Sequence, residues 1–329
     1  MTSNFINPCS FKSRMGPTQK EIRTFLKAYL LPFITKITPF PQGWVNYNYK
    51  IETKKGIYVL QILGKVVNER KKEKMRQMFR ALHTLQKEKF PYEVPQPLMN
   101  RQKKCLTLTK ERGAWIYPYL KGEKRSSLTK EQLHEIGRAI GQMDSLLLRI
   151  KGKGEKNLNH YSGQLQKIHE IQQSTPHDAA QRYIQKQVAL LRIYYNKLST
   201  YTFKNEGMLC HADFNMDNLL FEGRKLRGII DFDNMCEGPR IQNIASACNK
   251  LIYVNKRGKK EEKILLDAYE SMIPLTKEEK RQIIPFSMRD TCGIIIWHYH
   301  NQKGTITERL KSAQTFMHIL KKCFKRISS

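Results

Sequence analysis

Between Leu209 and Met235 the chain reads LCHADFNMDNLLFEGRKLRGIIDFDNM. Asp213, Asp231 and Asp233 stand there beside apolar runs, with His211 and Asn218 among them. Burying ionised carboxylates is costly unless they are paired or bind a metal. The stretch is therefore a satisfied polar corner or a reaction centre. The chemistry that fits these residue types is phosphoryl transfer. It needs a residue beside the accepting hydroxyl, Mg²⁺ to screen phosphates, and firm positioning. Asp213 can orient the hydroxyl or accept its proton. Asn218 and Asp231 offer the hard oxygen ligands that Mg²⁺ prefers. Leu219–Phe221 and Gly228–Ile230 should pair as strands and bring Asn218 close to Asp231. A cation and phosphates would then neutralise the carboxylates.

The elements that must hold this stretch can be read on either side of it. Pro17–Leu30 opens with Thr18 and Glu21, a capping box, and sets Ile22, Phe25, Leu26 and Leu30 on one helical face. Strands are expected around Ile34–Thr38, Tyr47–Glu52 and Ile57–Ile62, with turns at Pro41–Gly43 and Lys54–Gly56. Val67–Lys89 reads as a charge-rich helix, stopped by the prolines of Pro91–Pro97. Cys105–Thr109 and Ala114–Leu120 read as two further strands. Thr129 and Gln132 form a second capping box, and Leu133, Ile136, Ile140, Met143 and Leu147 keep helical period. Helices should follow as far as Leu209, with a loop around Lys151–Lys156. They resume after Asp233 at Asn243–Val254, Lys260–Ser271 and Thr307–Arg326.

With the order of elements in place, a resemblance is visible. HADFNMDN followed by IIDFD resembles the catalytic motif and metal-binding aspartate of the aminoglycoside phosphotransferase/choline kinase superfamily. The upstream order GWVNYNYKIETKKGIYVLQI, helix, VPQP and WIYPYLKGE is similar to that of type II homoserine kinases, and YVLQ with IIDFDNMCEG to N-acetylhexosamine 1-kinases. The resemblance spans about Ile34–Val254. It implies an α+β, protein-kinase-like two-lobe fold. Residues 1–118 would be a nucleotide-binding lobe with a small antiparallel sheet and one long helix. Residues 119–329 would be a larger helical lobe with the catalytic loop and metal site.

Carried onto this chain, the resemblance makes Asp213 the catalytic aspartate and His211 the motif histidine, a support for the loop. Asn218 and Asp231 become Mg²⁺ ligands. Asp233 either joins the metal shell or caps the residues that follow. ATP, or another nucleoside triphosphate, would meet Gly43 in the loop after the first strand and Gln61 on the third. Backbone amides at Tyr119 and Leu120 would face adenine. Two positions depart from the family pattern. Gln61 stands where a phosphate-holding lysine is often found, with Lys50 or Lys65 as possible substitutes. Asn243 stands where aspartate is frequent, which should weaken an anchor. Contacts to the acceptor could come from Arg240, Arg289 or Asp290.

Composition narrows the class. With 329 residues, 40% hydrophobic and 27% charged, the chain is long enough for two lobes and reads as soluble. No apolar run approaches the ~18 residues of a membrane span, and the first residues lack the apolar core of a secretory signal. A cytosolic protein is expected. The seven scattered cysteines form no CxxC pair and read as reduced thiols. His298 and His300 are two apart and do not share a helix face for a metal. The formal net charge of +30 suits an anionic partner and disfavours polycationic acceptors. The best-fitting function is phosphorylation of a small-molecule hydroxyl, on an amino acid or amino alcohol such as homoserine. A sugar kinase is the next reading. A non-catalytic nucleotide- or nucleic-acid-binding protein is a third, motivated by Gln61 and the charge. A protein kinase fits less well, because no activation segment follows Asp231.

Overall fold

Helix α1 spans Gln19–Lys27, and both hydrogen bonds of its Thr18–Glu21 capping box are formed. The protein is described from a computed structural model, covering residues 16–41, 45–64, 66–150, 160–201, 207–301 and 304–328. Gly43, Trp44, Lys65 and the expected loop at Lys151–Lys156 lie outside the described residues, as does most of the N-terminal segment.

Contacts divide the chain into two units. The first holds α1 and an antiparallel five-stranded sheet of β1 (Ile34–Pro39), β2 (Tyr47–Thr53), β3 (Gly56–Ile62), β4 (Thr107–Leu108) and β5 (Gly113–Pro118), in the order β1-β2-β3-β5-β4. Ile22, Phe25, Leu26 and Tyr29 pack on Ile51, Leu60, Ile62, Ala114 and Ile116, so the apolar stripe of α1 covers one face of the sheet. Leu30 was expected on that stripe, but the helix ends at Lys27 and Leu30 is 74% exposed. The strand expected at Cys105–Thr109 is only two residues long.

The second unit takes Asn68–Gln96 together with Leu120 onward. The chain passes from the first unit to the second between Val67 and Asn68 and again between Tyr119 and Leu120. The long helix α2 (Glu69–Lys87), however, belongs to this unit and not to the sheet, because it packs on α3 (Lys130–Leu147) and on the turn that carries Asp233. The other helices are α4 (His160–Gln173), α5 (Ala179–Lys186), α6 (Val188–Leu198), α7 (Ile241–Ala247), α8 (Lys259–Glu270), α9 (Lys277–His300) and α10 (Ile306–Ser328). Side chains from α4, α5, α6, α9 and α10 build a large core around Leu191, Tyr195, Cys292, Ile295 and Leu320. Short strands β6 (Met208–Cys210) and β9 (Cys236–Gly238) pair with each other, as do β7 (Leu219–Glu222) and β8 (Lys225–Ile229). Among the described residues no helix is long and apolar enough to cross a membrane.

Helix α3 lies along α8 with glycines at the contact. A Cβ at Gly137 would overlap the Leu265 carbonyl oxygen and come within 2.9 Å of Ala268 Cβ. Gly137→Ala should cost about 2 kcal/mol, despite alanine's better helix propensity, because the clash is with backbone that cannot turn aside. Urea denaturation of the variant measures this.

Candidate active site

The hairpin forms, with Leu219 opposite Ile229 and Leu220 opposite Gly228. Ile230 N–H donates to the Asn218 carbonyl at 2.9 Å, which fastens the start of one strand to the end of the other. Backbone on both sides braces the pair. Glu123 exchanges hydrogen bonds with Phe221 at 2.8 and 2.9 Å, and Glu93 bonds Arg227 and Ile229 at 2.8 and 2.9 Å. Gly228 admits this approach, since a Cβ there would stand 2.9 Å from the Glu93 carbonyl oxygen. The hairpin is thus the inner part of a four-segment ladder, and it fixes where Asn218 and Asp231 emerge.

The loop ahead of it is pinned by two polar residues. His211 is fully buried between the rings of Phe214 and Phe232. Its Nδ1 accepts from the Asp213 amide at 3.2 Å, and its Nε2–H donates to the Ile230 carbonyl at 3.0 Å. Burial pushes the imidazole down to about 4, so it stays neutral near pH 7. Both ring nitrogens are occupied in tying the loop to the hairpin. Ala212, at φ 62°, and Asp231, at φ 63°, adopt left-handed backbone that non-glycine residues seldom take. Such conformations persist only where the surroundings enforce them, and they concentrate at functional sites.

Asn243 does the enforcing at Ala212. Its Oδ1 accepts from Ala212 N–H at 2.9 Å, and its Nδ2 donates to Asp144 Oδ1 at 2.6 Å. The second oxygen of Asp144 accepts from the Tyr269 hydroxyl at 3.0 Å. Burial pushes the Asp144 carboxyl up to about 7, and its two hydrogen bonds only partly offset this. The expectation that asparagine at 243 weakens an anchor is corrected here. An ionised aspartate could not donate to Asp144, whereas an amide donates on one side and accepts on the other. The anchor is kept with a different pair of groups.

Asp213 is a heavily engaged carboxylate. Its Oδ1 forms an ion pair with Lys250 and accepts from Asn215 Nδ2 at 3.0 Å, while Oδ2 accepts from Asn234 Nδ2 at 2.9 Å. Asn218 Nδ2 donates to its carbonyl at 2.9 Å. Burial opposes ionisation, but the Lys250 ammonium, with lesser help from His211 and Asn215, holds the carboxyl below its usual value. Asp213 is therefore ionised and aimed. Lys250 was not singled out in the sequence. It sits in a π-helical turn, Cys248–Tyr253, that continues α7, and such turns are frequent at functional sites.

Asp231 opens the turn at Phe232–Asn234. Its surface is open to solvent on one side, yet the protein around it and the charges of Asp233 and Asp213 push its carboxyl up to about 7. Negative charge thus accumulates at the end of the hairpin, which is the electrostatic condition for a divalent cation. The donor set of Asp231, Asn218 and Asp233 suits Mg²⁺ chemically, being all hard oxygen. Among the described residues no three His, Cys, Asp or Glu side chains form a metal cage by themselves. Mg²⁺ does not require one, since it typically takes one or two carboxylates and completes its shell with phosphate and water.

The residues expected to meet the nucleotide belong mostly to the first unit and are described there. Gln61 is 5% exposed, faces Trp115 across the β3–β5 ladder, and accepts from its indole N–H at 2.6 Å. Its side-chain carbonyl is thereby used, and only its NH₂ remains as a donor. Tyr119 corrects the hinge expectation. Its amide donates to the Ile57 carbonyl at 2.9 Å, continuing the ladder past Pro118, so that N–H is not open to a base. Its ring stacks on Phe40 with centroids 6.2 Å apart. Leu120 is buried in the second unit. Lys50 pairs with Glu52 at 3.1 Å.

Comparison with known proteins gives the family and the fold. The phosphotransferase enzyme family matches residues 36–281. A homoserine kinase of Sinorhizobium medicae (strain WSM419) is 26% identical over 266 residues, which cover 80% of this chain and 78% of that one. A homoserine kinase of Neisseria meningitidis serogroup B is 26% identical over 274 residues, covering 83% and 85%. Among solved structures, a microcompartment-associated aminopropanol kinase has a TM-score of 0.73 at 16% identity, over 93% of this chain and 97% of that one. An amicoumacin kinase, solved with AMP-PNP and Ca²⁺, has a TM-score of 0.69 at 15% identity, over 93% and 96%. The chain belongs to the phosphotransferase enzyme family, and it is a small-molecule kinase with the α+β, protein-kinase-like fold.

Proposed function

We propose that the protein transfers the γ-phosphoryl group of ATP to the hydroxyl of a small amino acid or amino alcohol, with homoserine the leading acceptor. The observation that carries this reading is the ionised Asp213, fixed by Lys250, Asn215 and Asn234 and joined through its carbonyl to Asn218. The relatives described as homoserine kinases and the aminopropanol kinase support the acceptor class.

In this reading Asp213 accepts a hydrogen bond from the acceptor hydroxyl, orients its lone pair, and takes the proton as the new oxygen–phosphorus bond forms. His211 keeps the loop in place and moves no proton. Asp231 and Asn218 would hold Mg²⁺, with Asp233 beside them, and the ion would screen the phosphates. Gln61 offers a neutral donor where a lysine would bring charge. Gly43 and Leu120 remain assigned to the nucleotide.

A nucleotide-consumption screen of the full chain with Mg²⁺ tests this, across homoserine, aminopropanol, choline and N-acetylhexosamines. The expected result is ADP release that depends on homoserine and Mg²⁺. A preference for a hexosamine would replace the acceptor class, and tight, salt-steep nucleic-acid binding without turnover would overturn the catalytic reading.

A further inference from the structure

Helix α9 lies against α7 and the π-helical turn in a fixed register. Ser287 Oγ donates to the Ala245 carbonyl at 2.9 Å, and Thr291 Oγ1 donates to Asn249 Oδ1 at 3.2 Å. Immediately beside the second pair stand Asp290 on α9 and Lys250 on the turn. Each lies within the field of the other, and Asp290 also lies within the fields of Arg289 and Asp213. Asp213 thus carries the Lys250 ammonium on its carboxylate and has the Asp290 carboxylate within its field, all within one unit.

Asp290 and Lys250 have hydrogen-bonding capacity left over, whereas Arg240 does not. Arg240, which also faced the acceptor as a sequence candidate, is committed to Glu279 at 2.8 Å. Asp290 is half-buried and makes no hydrogen bond or ion pair among the described residues, so its carboxylate is open to a cation. Lys250 has one N–H on Asp213 Oδ1 and two more to give, and its side chain is 17% exposed.

We propose that Asp290 and Lys250 select the acceptor: Asp290 receives an ammonium group, and Lys250 receives a carboxylate while it keeps Asp213 on the hydroxyl. The site is then built for a zwitterionic hydroxy amino acid, not for a neutral sugar or a plain amino alcohol. This rests on the kinase reading above. Lys250 is a positioning residue toward Asp213 and a binding residue toward the acceptor.

The test compares kcat/KM of the full chain with three acceptors: homoserine, hydroxybutyrate, which lacks the amine, and aminopropanol, which lacks the carboxylate. The native protein should favour homoserine over each truncated acceptor by about a hundredfold, because a site built around a charged group strongly rejects the analogue lacking it. Asp290→Asn should lower the homoserine-to-hydroxybutyrate preference by about tenfold or more. Lys250→Met should lower kcat for every acceptor and erase the preference for homoserine over aminopropanol, and Lys250→Arg should restore part of both. Residual turnover of any acceptor reports that a variant is folded. Homoserine turnover with preferences unchanged in both variants would overturn the selection while leaving the proposed function standing. Phosphorylation of a hexosamine but of no hydroxy amino acid would overturn both.

Discussion

Asp213→Asn should reduce kcat by about a thousandfold, with little change in KM for the nucleotide and an unchanged fold. The amide keeps the size of the carboxylate, and its oxygen can still meet Lys250 and Asn215. The hydrogen bond from Asn218 goes to the backbone carbonyl of residue 213, so the substitution leaves that link intact. What is lost is the charge that accepts the acceptor's proton and draws its hydroxyl into line. Steady-state kinetics together with a thermal melt separate this from unfolding. A kcat within about threefold of the native value would remove Asp213 from the chemistry.

Asp144→Asn should change stability in a pH-dependent way, and in the direction opposite to that of a carboxylate held ionised by a salt bridge. The folded-state value is raised to about 7 from 3.8. Between these values the folded protein holds a proton that the unfolded chain releases. The stabilisation is complete below about pH 4, falls as pH rises, and is gone above about pH 7, a swing of up to about 4 kcal/mol. Asparagine at 144 can still accept from Asn243 Nδ2, and its own amide can donate to the Tyr269 hydroxyl. The variant should therefore lack this swing and be more stable than the native protein at pH 8. Urea unfolding of both proteins at several pH values gives the difference directly, and other titrating groups cancel in it. Parallel curves would show that Asp144 is not the buried, proton-holding group described above.

Features set by neighbours in sequence could be read in advance. The Thr18–Glu21 and Thr129–Gln132 boxes are local patterns, and both form. The β7–β8 hairpin follows from two apolar runs either side of a turn, so the proximity of Asn218 to Asp231 could be anticipated. Features set by register or by distant packing could not. The use of the Tyr119 amide depends on how β5 pairs with β3 beyond Pro118. Lys250 is one of 59 lysines and arginines, and only a π-helical turn separates it from the others. The membership of α2 in the second unit is a matter of which apolar face its stripe meets. Asp144 did leave a signal. It stands four residues after Ile140 and beside Met143, a carboxylate on the apolar stripe of α3. Read as a buried polar group in need of partners, it would have pointed to Asn243 and to the loop that Asn243 holds.

The most direct measurement is phosphorus NMR of the full chain incubated with ATP, Mg²⁺ and homoserine, run beside the Asp213→Asn variant. A phosphomonoester resonance should grow with the native protein as the γ-phosphate resonance declines, and should be nearly absent with the variant. Equal growth in both samples, or none in either while ATP is consumed with another alcohol, would contradict the assignment of this site and its acceptor.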